Sequence, residues 1–216
     1  MIGSRKRSER NMPERRIIKN CRLFDAEDDK QTTSVVVENG LISQVGQIEC
    51  EAGCDNVLDA QGKIIAPGFI DVHIQGAGGA DVLDGTAEAL QAISQTCARF
   101  GTTSFLATTV FKPGRGNQHL AFAAEAVGRN LGGANLLGIH LEGPFISLQK
   151  RGMILPECIC PPSEQVLDVV QAITGGHLRM MTIAPELPGS LPIVRSLVES
   201  GTVASFGHSS AGYEQT

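Results

Sequence analysis

The chain has no tryptophan, one tyrosine and only 4% aromatic residues. It therefore lacks the stacking platforms on which single-stranded nucleic acids lie. No run approaches 18 consecutive apolar residues, so nothing in the sequence reads as a membrane span. The amino terminus has no apolar segment of signal-peptide length. The six cysteines (Cys21, Cys50, Cys54, Cys97, Cys158 and Cys160) never pair as CxxC units, and Cys50–Cys54 with Cys158–Cys160 make only a weak case for structural zinc. Without a secretory signal, reduced thiols and a cytoplasmic location are expected.

What is present is a sequence of 216 residues, 42% hydrophobic, with 25 glycines and a formal net charge of -5. That length supports one sizeable core or somewhat more. The composition suits an α/β enzyme with many tight loops. Residues 1–16 stand apart: Arg5, Lys6, Arg7, Arg10, Arg15 and Arg16 against Glu9 and Glu14 make them basic by about +4, leaving about -9 on the rest. They read as a disordered extension, upstream of a start at Met12. The acidic remainder argues against broad nucleic-acid binding.

Residues 17–66 read as short strands and turns. Ser34–Glu38 is β-branched, Asn39-Gly40 is a tight-turn signal, and Leu41–Val45 returns as the hairpin partner. Val57–Asp59 and Lys63–Ile65 are further short strands. Pro67-Gly68 marks a boundary, and residues 67–216 change texture. Strands are expected at Phe69–Ile74, Thr102–Val110, Leu136–Leu141, Arg179–Ala184 and Thr202–Gly207. Helices are expected at Thr86–Phe100, Gln118–Arg129, Ser163–Ile173 and Leu191–Ser200. This repeated βα pattern predicts a parallel sheet covered by helices, open or closed into a barrel. Gly76-Ala77-Gly78-Gly79 lacks the dinucleotide-binding spacing.

Polar residues collect where these strands end. Alternation places Asp71, His73 and Gln75 on one face of the first strand and pairs His140 with Glu142 on the third. Burying His140 and Glu142 together is costly unless each is paired, protonated or bound to a metal. The fourth strand ends in Ala184-Pro185-Glu186 and the fifth in Gly207-His208-Ser209. Side chains gathered at the carboxyl ends of parallel strands are the working arrangement of a barrel enzyme. Glu142 and His208 can offer a carboxylate and an imidazole to one divalent ion, with His73 and the weaker donor Gln75 assisting. Two firm ligands are too few for an ordinary catalytic zinc site.

Five segments carry a resemblance: PGFIDVHIQGAGG (67–79), GTTSFLATTV (101–110), GIHLEGPFIS (138–147), TIAPE (182–186) and SFGHSSAGYEQ (205–215). In this order they resemble the N-acetylglucosamine-6-phosphate deacetylases of the metal-dependent amidohydrolase superfamily. The resemblance implies a (β/α)8 TIM barrel, with about five of eight barrel strands here, and part of a small β-sandwich domain in residues 17–66. It implies hydrolysis of the acetamide of N-acetyl-D-glucosamine 6-phosphate by a metal-activated water. One divalent ion, zinc or iron(II), is expected on Glu142 and His208, with His73 and Gln75 between the family's His-x-His and double-amide patterns. The partner implied is a small amino-sugar phosphate, without nucleic acid or membrane, with a homodimer open to the full-length subunit.

Two departures qualify this expectation. Lys150-Arg151-Gly152-Met153-Ile154-Leu155-Pro156 lines up with a family Lys-x-Gly-x-His-x-Pro segment whose histidine approaches the substrate carbonyl, and Ile154 takes that place. The family's second metal histidine and its catalytic aspartate, expected after the sixth and eighth strands, have no counterpart. The catalytic residue is thus unassigned, and these 216 residues alone are expected to be inactive. The alternatives are a truncated, non-catalytic amidohydrolase-like protein or a deacetylase acting on a related substrate.

Overall fold

A computed structural model describes residues 15–24, 31–48 and 56–216. Residues 1–14 of the basic extension, and Cys50 and Cys54, lie outside these described residues. Arg15 and Arg16, expected in the disordered extension, instead open the first strand, paired with Glu38 and Val37. The chain divides into two compact units, Met1–Pro67 and Gly68–Thr216.

The first unit is built from β1 (Arg15–Leu23), β2 (Thr33–Glu38), β3 (Leu41–Gly46), β4 (Val57–Asp59) and β5 (Ile64–Ile65). Strand β1, which the sequence pattern did not single out, is its hub: β2 pairs with it antiparallel, β4 and β5 parallel. The β2–β3 turn has Asn39 and Gly40 both at positive φ (51° and 80°), the backbone that a two-residue hairpin demands. Ile17, Cys21, Val35 and Val36 are buried in this unit.

The second unit contains β6 (Phe69–Ile74), a small hairpin of β7 (Gly76–Ala77) and β8 (Ala80–Asp81), α1 (Ala87–Arg99), β9 (Thr102–Thr109), α2 (Gln118–Ala126), β10 (Asn135–Glu142), α3 (Glu164–Thr174), β11 (Leu178–Ile183), α4 (Ser190–Glu199) and β12 (Val203–Phe206). The five long strands form one parallel sheet in the order β12-β11-β10-β9-β6. Sequence order equals spatial order, as successive βα units produce. Thr86 and Ser163 cap α1 and α3 by accepting from Ala89 N and Val166 N. Helix α2 stops three residues short of the expected Arg129, because Val127 turns extended (ψ 129°) and Gly128 follows at φ 77°. Leu120 of α2, Leu167 and Val170 of α3 and Ile193 and Leu197 of α4 share one core with Phe105, Ile139, Leu141, Met181 and Ile183 of the sheet. Among the described residues no helix is long and apolar enough to cross a membrane.

Strand β10 departs from strict alternation, and the departure sets up the site. Against β9, Leu136 pairs with Phe105 and Gly138 with Leu106, so Leu137 is an extra residue. Leu136, Ile139 and Leu141 all belong to the helix-covered core. Period-two alternation from Leu136 would instead bring residues 138, 140 and 142 there. The bulge rephases the strand and turns His140 and Glu142 to the other face.

Candidate metal centre

Glu142 ends β10, the middle strand, and is 7% exposed. Its Oε2 accepts a hydrogen bond from Gln75 Nε2 at 2.7 Å, just after β6. Its Oε1 lies 2.8 Å from His208 Nε2, just after β12, and 3.7 Å from His73 Nε2 on β6. Strands β6 and β12 are each two places from β10. In a flat sheet that offset is about 10 Å, so both flanks must curve toward Glu142 for these contacts to form. All four sequence-predicted side chains, His73, Gln75, Glu142 and His208, therefore meet at one carboxylate.

His208 is held from behind. Its Nδ1 lies 2.8 Å from the Lys150 carbonyl oxygen, which can only accept, so Nδ1 carries the proton. A neutral ring then points the Nε2 lone pair at the Glu142 oxygen. That meeting of two acceptors is relieved by a second proton or by a cation placed between them. Metal-binding histidines are oriented in this way, one ring N–H on a backbone carbonyl and the other nitrogen free to ligate. The donor set, one carboxylate and one imidazole, fits a divalent ion of the zinc type.

The backbone at His208 is left-handed (φ 49°). The loop around it is tied down on both sides. Ser147 N donates to His208 O at 2.9 Å, and Glu186 accepts from Ser209 Oγ at 2.7 Å and Ser210 N at 2.6 Å. Partial desolvation raises the Glu186 carboxyl, but these two donors outweigh it and hold it below the ordinary carboxylate value. Among the described residues no three His, Cys, Asp or Glu side chains form a ready-made metal cage. A metal held by Glu142 and His208 would need a further donor, from His73, whose side chain is half exposed, or from elsewhere.

His140 and Glu142 share the face the alternation predicted, yet they do different work. His140 is 3% exposed, with Nδ1 2.8 Å from the Val72 carbonyl and Nε2 2.9 Å from Thr182 Oγ1. Both ring nitrogens are committed to protein partners. His140 is a brace between β6 and β11, its ring edge-on to His73 with centroids 5.0 Å apart, and burial depresses its basicity. Asp71 does not join the group, because its carboxylate accepts from the His73 backbone N–H at 3.0 Å. Burial pushes up the thiols of Cys97, Cys158 and Cys160.

A cavity of about 420 Å³ opens beside Glu142, His208 and Gln75. Val110 and the Ile154 loop also line it, and Ile154 is 8% exposed in an apolar cluster with Ile146 and Cys158. The loop after β9 borders the cavity and is pinned by two buried side chains that sequence reasoning missed. Asn117 accepts from Lys112 N and donates to the carbonyls of Lys112 and Arg115, and His119 Nε2 donates to the Val110 carbonyl at 2.9 Å. Asn117 immediately precedes α2, where such a residue reads as a helix start, so its three loop contacts left no separate sequence signal.

Burial lowers the basicity of His119, only partly offset by its bond to Val110. The unfolded chain takes up this proton near the ordinary value of 6.5, the folded chain only at lower pH. The contribution of His119 to stability is therefore complete above about pH 6.5 and declines as pH falls through the folded value. His119→Gln keeps an amide donor for Val110 and is expected to flatten part of this acid slope in urea melts. Equal slopes for the variant and the parent would show that His119 does not carry it.

No family model matches the chain. Its sequence is 36% identical over 203 residues to an N-acetylglucosamine-6-phosphate deacetylase of Lysinibacillus sphaericus, covering 92% of this chain and 51% of that protein. It is 30% identical over 202 residues to an N-acetylgalactosamine-6-phosphate deacetylase of Escherichia coli O157:H7, covering 93% and 52%. The crystal structure of N-acetylglucosamine-6-phosphate deacetylase from Pasteurella multocida superimposes with a TM-score of 0.80 at 28% identity, over 93% of this chain and 52% of that one. The chain spans about half the length of the curated relatives it matches.

Proposed function

We propose that this chain carries metal-binding residues of an amidohydrolase that hydrolyses the acetamide of N-acetyl-D-glucosamine 6-phosphate to D-glucosamine 6-phosphate and acetate. The observation that carries the proposal is the Glu142–His208 pair, set at the ends of parallel strands and backed by the Lys150 carbonyl. Similarity to the deacetylases over nearly the whole chain supports the same reading. On this reading the parallel sheet is part of a (β/α)8 barrel, and the first unit is part of a small β-sandwich. The ion would be zinc, with iron(II) the second choice, held by Glu142 and His208 with His73 nearby.

A divalent ion, when bound there, polarises the acyl carbonyl and makes water acidic enough to act as a nucleophile near neutral pH. The remaining steps belong to the chain. Gln75 engages Oε2 of Glu142 and so aims Oε1 at the imidazoles. His140 holds the ends of β6 and β11 on either side. Lys112, a cation lining the cavity, can meet the anionic end of a sugar phosphate. Ile154 has no hydrogen to donate to a developing oxyanion, which places that role on another group.

The test uses the complete gene product loaded with zinc or iron(II) and measures acetate release from N-acetylglucosamine 6-phosphate. The galactosamine epimer is run beside it, because one of the relatives is named for that substrate. Turnover of the glucosamine substrate that chelation abolishes and added metal restores is the expected result. Absence of that turnover in a folded protein of full metal content, or turnover of the galactosamine epimer alone, would overturn the proposal.

A further inference from the structure

The cavity beside Glu142 and His208 has a predominantly apolar wall, an odd setting for a hexose whose surface is mostly hydroxyl. Val110, Ile154 and Cys158 form a closed part of it, packed with Ile146 and Ile159. Leu83 and Leu155 line it too and are 43% and 54% exposed. Apart from the weak thiol of Cys158, none of these side chains can hydrogen-bond a sugar hydroxyl. Polar residues line the same cavity: Glu142, Gln75 and His208, with Asp81 and Thr109 at the ends of β8 and β9 and Lys112 on the loop after β9.

A substrate amide whose carbonyl lies toward an ion held by Glu142 and His208 would have two substituents within reach of the walls. The sugar, with its hydroxyls and phosphate, is served by the polar groups. The acyl chain is the part that gains by leaving water for Val110, Ile154 and Leu155. We propose that this site accepts N-acyl amino-sugar phosphates with acyl groups longer than acetyl, the added methylenes lying on that apolar wall. This inference rests on the deacylase reading above, since it takes the amide to sit at Glu142.

The experiment compares N-acetyl, N-propionyl, N-butyryl and N-hexanoyl glucosamine 6-phosphate on the complete protein. Release of the free amine gives kcat/KM for the metal-loaded form, and calorimetry gives Kd for the metal-free form, where no hydrolysis intervenes. Affinity is expected to rise about fourfold per methylene, roughly 15-fold from acetyl to butyryl, until the wall is covered. Ile154→Asn should remove most of this gain, and Ile154→Val should keep it. If Ile154→Asn does not fold, the parent panel and Ile154→Val decide alone.

Butyryl binding no tighter than acetyl, with acetyl hydrolysed normally, overturns the acyl subsite and leaves the deacetylase reading standing. Chain-length-dependent binding without hydrolysis of any member upholds the apolar subsite and overturns the deacetylase reading. Neither binding nor hydrolysis overturns both.

Discussion

Glu142→Gln and His208→Ala are each expected to strip the protein of tightly held divalent metal while leaving its sheet folded. Glu142 Oε1 is the oxygen on which His208 and His73 converge, and no second carboxylate takes part in these contacts. A glutamine there keeps the shape but offers a neutral carbonyl or an amide N–H, and loses the charge that offsets a divalent ion. His208→Ala removes an imidazole whose Nδ1–H is held by the Lys150 carbonyl and whose Nε2 faces Glu142. Even outer-shell partners of a metal site are worth roughly 10- to 100-fold in affinity, so loss of a direct ligand should exceed that. Metal content after gel filtration should fall from about one ion per chain to below roughly a tenth. Gln75→Ala should do less, since it frees the carboxylate to swing without removing a donor. Native-like metal content in both Glu142→Gln and His208→Ala would refute the assignment.

Gly138→Ala should be among the most damaging single changes outside that centre. At φ 155° the residue occupies backbone space that L side chains rarely adopt. A Cβ there would meet the Arg179 side chain and lie 2.7 Å from the His177 carbonyl oxygen. Arg179 can move aside. The carbonyl cannot move freely, because it accepts from Ile139 N at 2.8 Å. Backbone strain of about 1–3 kcal/mol and a comparable overpacking cost together suggest a loss of roughly 3–4 kcal/mol. For a unit of this size that lowers Tm by roughly 10 °C. Because the bulge also phases His140 and Glu142, metal affinity should fall with stability. A variant with unchanged Tm would show that the bulge relaxes without strain.

Much of this was legible from the residues. The Asn39-Gly40 turn, the Thr86 and Ser163 caps and the β-branched runs act through neighbours in sequence, so pattern reading found those elements within a few residues. That His73, Gln75, Glu142 and His208 would lie near one another was legible because each sits at or near the end of a strand in a βα series. What escaped depends on contacts far apart in the chain. Strand β1 has a mixed pattern and is recognisable only by its pairing with β2, β4 and β5. The Leu137 bulge is visible only against β9. No local feature distinguishes His140, a brace, from His208, whose ring faces Glu142. The difference lies in Val72 and Thr182 on one side and Lys150 on the other.

Glu142 finds Gln75 at a separation of 67 residues and His208 at 66, on opposite sides of it in the chain. No single βα unit can therefore build the centre. Two long loops must close first, and their closure entropy is lost before either contact forms. The carboxylate is the meeting point of a nearly symmetric span. An ion captured there would behave as a latch on the finished sheet and not as a seed for its formation. Its stabilisation would then be felt chiefly as slower opening, with the rate of folding left nearly as it was.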